Sequence, residues 1–184
     1  MYQKTSVVAL LVGLLVASSF VGAAAFTNAS VDRSASIDVV NDKDGIIGLE
    51  AGGSSMVTEN STGAIEIDAA VGSASGINTA ATVSVGDGSD PTSTYAFSVT
   101  NNAGSAKTID LSYTVTGTDS NGGDDLTFTV YDDTGSSVGS FAEGGSTSIN
   151  SAASGATYYV VITVDTTGNP SSDDLSGTLS ITAS

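Results

Sequence analysis

The chain has 184 residues, no cysteine and no histidine, and twenty acidic against four basic side chains, for a formal net charge of −16. Ser-His, Cys-His and zinc-type chemistry is thereby excluded, as is any disulfide framework. So negative a field also makes nucleic acid and anionic membrane surfaces poor partners.

The first element is an export signal. Lys4 supplies the positive charge, residues 7–16 are apolar apart from Gly13, small residues follow, and Ala23 and Ala25 meet the small-residue rule for cleavage before Phe26. Residues 1–25 are thus expected to form a signal-peptide helix that signal peptidase removes. About 159 residues then remain, 26–184, enough for one domain with its own core. Residues 7–25 would also just reach across a bilayer as an uncleaved anchor, the one way in which this chain would touch a membrane. The lack of cysteine excludes lipid attachment at this cleavage site, and Gln3-Lys4 ahead of the apolar run is not a twin-arginine signal.

After cleavage only Arg33, Lys43 and Lys107 oppose the twenty acids, so the net charge becomes about −17. Hydrophobic residues make up 40% of the chain and apolar runs separate the charges, so the pattern is an acidic coat on a folded domain rather than disorder. A lysine-poor acidic coat suits very salty water, where the screening length falls to about 3 Å at 1 M. Cation binding, or an acidic surface meant for a basic partner, is the competing reading.

From here apolar residues recur with period two, the spacing of strands. Val31, Ala35, Ile37 and Val39 share one face against Asp32, Ser36 and Asp38, with Arg33 intruding on the apolar side. Residues 41–48 have room for one helical turn at most, and residues 26–49 together read as an N-terminal extended segment. Ile65, Ile67, Ala69 and Val71 repeat the alternation, then Ile77, Ala81, Val83 and Val85 up to a breaker at 86–91. Tyr95, Phe97 and Val99 form a heavier run that stops at 101–104, a hairpin signal whose partner is Ile109, Leu111, Tyr113 and Val115.

Leu126, Phe128 and Val130 follow, and a turn at 132–135 leads into residues 138–141. Residues 157–165 place Tyr158, Val160, Ile162 and Val164 on one face and read as a central strand, and Leu179 and Ile181 mark a last one. No stretch after the signal has helical spacing over helical length. The fold class is therefore all-β, an antiparallel β-sandwich of immunoglobulin-like or jelly-roll type. Eight of the nine aromatic residues left after cleavage lie from Tyr95 to Tyr159, so the core, with Phe97, Phe128 and Tyr158, is expected there and the earlier strands at a rim or edge.

Candidate sites are few. Paired carboxylates are the one remaining route to acid–base catalysis, and twenty acids on a solvated coat make close pairs by chance, so the chain reads as a non-enzyme without a cofactor. Asp119, Asn121, Asp124 and Asp125 form the sharpest candidate for calcium, with Asp132, Asp133, Asp173 and Asp174 able to join if their loops share one end. The spacing departs from an EF-hand at Gly123, Asp124 and Val130, and solvated turns without metal are the preferred reading. Two glycosylation sequons, at Asn28 and Asn60, would face an extracellular transferase, and Asn60 has the more loop-like setting.

The stretch Ala23-Ala24-Ala25-Phe26-Thr27, then residues 32–40 with Asp42, then Ile46-Ile47-Gly48-Leu49, resembles the secreted haloarchaeal proteins related to TasA, camelysin and the archaeal bundling pilins. Tyr95, Phe97, Val99, Thr100 and Asn101, followed by Ile109, Leu111 and Tyr113, are similar to their sandwich core. The resemblance implies a secreted, cell-surface subunit of a biofilm fibre or pilus-like filament whose partners are copies of itself. In it the N-terminal segment of one subunit, here Val31, Ala35, Ile37 and Val39, would complete the sheet of the next, head to tail. A monomeric surface or envelope module that binds carbohydrate, a cation or another surface protein is the alternative. A glycan at Asn28 or an unpaired Arg33 would count against the donor-strand reading.

Overall fold

Alternation of apolar and polar residues builds strands throughout, and the described residues contain no α-helix, only a single 3-10 turn at Asp42–Asp44. The computed structural model describes residues 42–61, 63–68, 76–78, 80–117, 125–168 and 174–184, all within one unit, Val39–Ser184. The strands are β1 (Ile47–Ala51), β2 (Val57–Glu59), β3 (Ile65–Ile67), β4 (Thr82–Val85), β5 (Phe97–Asn101), β6 (Lys107–Val115), β7 (Leu126–Tyr131), β8 (Ser137–Ala142), β9 (Ser146–Ala152), β10 (Thr157–Asp165) and β11 (Gly177–Ala183). Their pairings are all antiparallel.

A six-stranded sheet runs β1-β5-β10-β7-β8, with β4 also on β10, and a three-stranded sheet runs β11-β6-β9. β2 and β3 form a separate hairpin. The central place expected for residues 157–165 is what β10 occupies. It pairs with β7 along one edge, while along the other β5 takes residues 157–160 and β4 takes 162–165. β4 and β5 thus lie end to end, and residues 86–96 are an excursion between them. That excursion runs toward the β7–β8 turn: a Cβ added at Gly88 would lie 2.9 Å from the Tyr131 hydroxyl, and one at Gly135 would lie 3.7 Å from the Pro91 ring.

The inward faces of the two sheets share one core. Phe97, Val99, Phe128, Val130, Val160 and Ile162 come from the larger sheet, and Ile109, Leu111, Tyr113 and Ile149 from the smaller. Tyr113 meets Phe128 with ring centroids 5.1 Å apart, and Phe128 stacks on Phe141 at 4.9 Å. Each such side chain, fully buried, contributes about 1.5–3 kcal/mol. Tyr158 is partly buried and packs against this core, and Val57 and Val85 extend it beneath the earlier strands.

Three expectations need correction. The runs ending at Asn101 and starting at Lys107 are not a hairpin: β5 pairs with β1 and β10, β6 with β11 and β9, and the link crosses from one sheet to the other. Both runs do turn their apolar faces to the same core, but they meet across it rather than side by side. Asn101, fully buried, clasps this corner: its Nδ2 donates to the carbonyls of Ser105 (3.0 Å), Ala152 (2.8 Å) and Ala153 (3.2 Å), and its Oδ1 accepts from the Ala103 N–H (3.0 Å).

Tyr95 does not continue the inward series of Phe97 and Val99. Its ring lies 4.9 Å from that of Tyr159, which points to the face of β10 opposite Val160 and Ile162. The alternation breaks at Ala96, buried like its neighbour Phe97, where Ala96 bonds Val160 on one side and accepts from the Gly52 N–H on the other. The third correction is one of omission. β2 and β9 had no visible signal, since β2 is three residues long and β9 turns only Ile149 and Ala152 inward among serines and threonines.

Candidate functional site

The two sheets differ in width. At a strand spacing of about 4.8 Å, the larger sheet is five positions across and the smaller three, so among the described residues about two positions have no facing strand. The flank at β8 and β9 is closed. The chain passes between the sheets in a tight corner, with the Gly145 N–H on the Ala142 carbonyl (3.0 Å) and the Gly144 N–H on that of Tyr113 (2.9 Å). β8 and β9 approach so closely that a Cβ at Gly139 would fall 2.4 Å from the Thr147 hydroxyl oxygen.

The other flank holds a cleft of about 950 Å³. Its apolar lining comes from both sheets and from the β2–β3 hairpin, including Leu49, Met56, Ile65, Val85, Ile162, Leu179 and Ile181. Asp42, Glu66, Asp68 and Asp174 add carboxylates. β11 borders this cleft, and among the described residues it is paired on one side only, to β6. A sheet edge with unspent backbone donors and acceptors beside an apolar groove is the physical requirement for accepting an added strand.

Polar groups fix the cleft walls. The Tyr113 hydroxyl donates to the Leu175 carbonyl (2.8 Å), and Asp42 Oδ2 accepts from the Ile65 N–H (3.1 Å), tying the 3-10 turn to the hairpin. Burial, then the nearby charges of Glu143 and Asp174, raise the Tyr113 pKa above the ordinary tyrosine value, so it is a neutral donor at neutral pH. Glu143 Oε1 and Oε2 accept from the N–H groups of Asp125 (2.8 Å) and Leu126 (2.7 Å), which seats the start of β7.

The acidic residues are divided between regions. Asp125 precedes β7 and Asp132 and Asp133 follow it, so β7, about 20 Å long, separates them. Glu143 and Asp174 both act on Tyr113, while Asp132 and Asp133 act on Tyr158. Asp132 Oδ1 accepts from the Thr134 N–H (2.9 Å), the Thr134 hydroxyl (2.6 Å) and the Ser136 N–H (2.9 Å), and these bonds hold its pKa below the usual carboxylate range. Asp174 is likewise lowered, first by the Ser176 hydroxyl and then by the Ser176 N–H. Among the described residues no group of three or more acidic side chains is placed to hold a metal ion. Asp119, Asn121, Asp124 and Asp173 lie outside them, as do Ala23, Ala25, Phe26, Asn28, Val31, Arg33, Ala35, Ile37 and Val39.

Asn60 is exposed at the tip of the β2–β3 hairpin. Sequence reasoning missed the buried clasp that Asn101 makes, Glu143, and the Met56 and Leu175 walls of the cleft, because single apolar or polar residues in short segments carry no periodic signal. Comparison of the chain with known families, characterised proteins and solved structures gives no match.

Proposed function

We propose that the chain is a secreted structural subunit of an extracellular fibre or pilus-like filament. In this reading residues 31–40 of one copy enter the cleft of the next and add a strand to β11, on a sandwich of immunoglobulin-like or jelly-roll type. The observation that supports it is an apolar cleft beside β11, which among the described residues is paired on one side only. The alternate residues Val31, Ala35, Ile37 and Val39 have the period such a groove accepts, while main-chain bonds to the edge set the register. Donor and acceptor surfaces differ, so the contact is head to tail and propagates. Arg33 then meets a cleft that carries carboxylates. The resemblance to the TasA, camelysin and bundling-pilin group implies the same assembly.

Ile37→Asp is the test, read by negative-stain microscopy and thermal melting of the secreted protein in concentrated salt. The expected result is loss of filaments with each subunit still folded. Filaments that persist would reject strand addition. A variant that instead melts far earlier would mean that Ile37 is buried in its own subunit, where a charge costs several kcal/mol.

One observation favours a second reading, a monomeric surface module that binds carbohydrate. Tyr95 and Tyr159 pack together on the outer face of the larger sheet, Tyr131 is the cross-strand partner of Tyr159, and Glu50 is near enough to raise the Tyr95 pKa after burial has done so. Such a row offers ring faces to a sugar. Binding of a soluble oligosaccharide that Tyr159→Ala abolishes, by a protein that forms no filaments, would establish it instead.

A further inference from the structure

We propose that Asn60 is an N-glycosylation site, the oligosaccharide being transferred from a polyprenyl phosphate carrier; the proposal rests on export of the chain. Asn60-Ser61-Thr62 has the required hydroxyl residue two positions on and no proline between, although the placement of Thr62 lies outside the described residues. The other exposed asparagines of the described residues lack it: Asn78 precedes Thr79-Ala80, Asn102 precedes Ala103-Gly104, and Asn150 precedes Ser151-Ala152. Among the described residues Asn60 alone meets the rule.

The fold presents this tripeptide to solvent. Thr58, Glu59, Asn60 and Ser61 are all exposed, so a bulky polar group there displaces nothing from the core. The loop is closed locally, with the Asn60 N–H on the Ala64 carbonyl (2.8 Å), the Gly63 N–H on the Asn60 carbonyl (2.9 Å), and the Ala64 N–H on Asn60 Oδ1 (3.1 Å). Gly63 takes the left-handed conformation that the turn requires (φ 78°). The Asp42 N–H donates to the Gly63 carbonyl (3.2 Å), which ties the hairpin tip to the 3-10 turn. Asn60 and Ser61 are not among the residues that line the cleft.

In the transfer, Asn60 Nδ2 bonds to the anomeric carbon of the first sugar and the bond from that carbon to the carrier phosphate breaks. The polyprenyl phosphate leaves as the anion, and the proton lost from Nδ2 passes to a base of the transferase. No oxidant or reductant is needed.

The test is intact-mass and peptide mass spectrometry of the protein in the extracellular and cell-surface fraction of the organism that makes it, beside Asn60→Gln, Thr62→Ala and Thr62→Ser variants. The expected result is an oligosaccharide increment on the Asn60 peptide. It should vanish in Asn60→Gln and Thr62→Ala and persist in Thr62→Ser, with thermal midpoints alike so that misfolding does not account for the loss. An exported protein whose Asn60 peptide has its unmodified mass overturns the proposal while leaving the filament reading intact. An increment that survives both Asn60→Gln and Thr62→Ala overturns it as well. Protein retained in the cytoplasm would sink the proposal together with export.

Discussion

Asn101 is the side chain on which the crossing between the sheets depends most. Its amide satisfies carbonyls of Ser105, Ala152 and Ala153 that are drawn together where β5, β6 and β9 meet, and burial leaves no water to replace it. Asn101→Ala should cost about 1–3 kcal/mol for the carbonyls it orphans. Asn101→Asp should cost more at neutral pH, because a carboxylate there faces carbonyl oxygens and the folded state therefore raises its pKa. The sign follows: the stability of the Asp variant relative to wild type is greatest below the unfolded carboxylate value, near 3.9, and is lost as pH rises through the higher folded value. Melting of the wild type and both variants from pH 3 to 7 checks this, and an Asp variant no worse than Ala at pH 7 would contradict the clasp. The comparison must be made at each pH. The wild type itself loses stability in acid, since Asp87, Asp132, Asp165 and Asp174 have folded pKa values lowered by hydrogen bonds from neighbouring hydroxyl and N–H groups. Their contribution is present above about 3.8 and disappears as pH falls through the lowered values.

Strands of five or more residues with aliphatic or aromatic alternation were legible: β6, β7, β10 and β11 fall where period two places them, and β8 where the turn before it leads. The local pattern says which face is buried but not which neighbour lies beside a strand, which is why β5 and β6 were joined as a hairpin. Two strands facing each other across a core and two strands side by side have the same alternation. The phase slip at Ala96 was illegible for a related reason, since it goes with a contact distant in sequence, the N–H of Gly52, just after β1, donating to the Ala96 carbonyl (2.8 Å). A Cβ at Gly52 would lie 1.9 Å from the Tyr95 carbonyl oxygen, backbone that has no rotamer to yield. Gly52→Ala should therefore detach the end of β1 from β5 and lower stability by about 1–3 kcal/mol, as overpacking does elsewhere. Amide exchange would localise the loss to β1 and the start of β5. A neutral Gly52→Ala would show that the two backbones separate without cost. Of the cleft, Ile65, Val85, Leu179 and Ile181 were visible as apolar positions, but their convergence depends on the unequal widths of two sheets, a property of strand order and not of any segment.

Across the described domain, charge is opposed by very little. Lys43 pairs with Asp44 at 3.2 Å, with both side chains about half exposed, and adjacent surface pairs of this kind contribute little. Repulsion within so acidic a chain is screened by dissolved ions. The thermal midpoint should rise markedly between about 0.1 M and 3 M sodium chloride, and a midpoint that does not move would remove the argument for a saline habitat. One last consequence concerns time rather than stability. β10 holds β4, β5 and β7 at once, and of the described pairings in the larger sheet only β7–β8 joins strands that are neighbours in sequence, so most of that sheet closes over long separations. Loop closure over such separations must precede the contacts that reward it, which places folding in the milliseconds-to-seconds range typical of non-local β topologies. Until residues 157–165 have been made, the β1–β5 and β7–β8 pairs have no strand to join them, so the larger sheet is completed only when β10 takes its place between them.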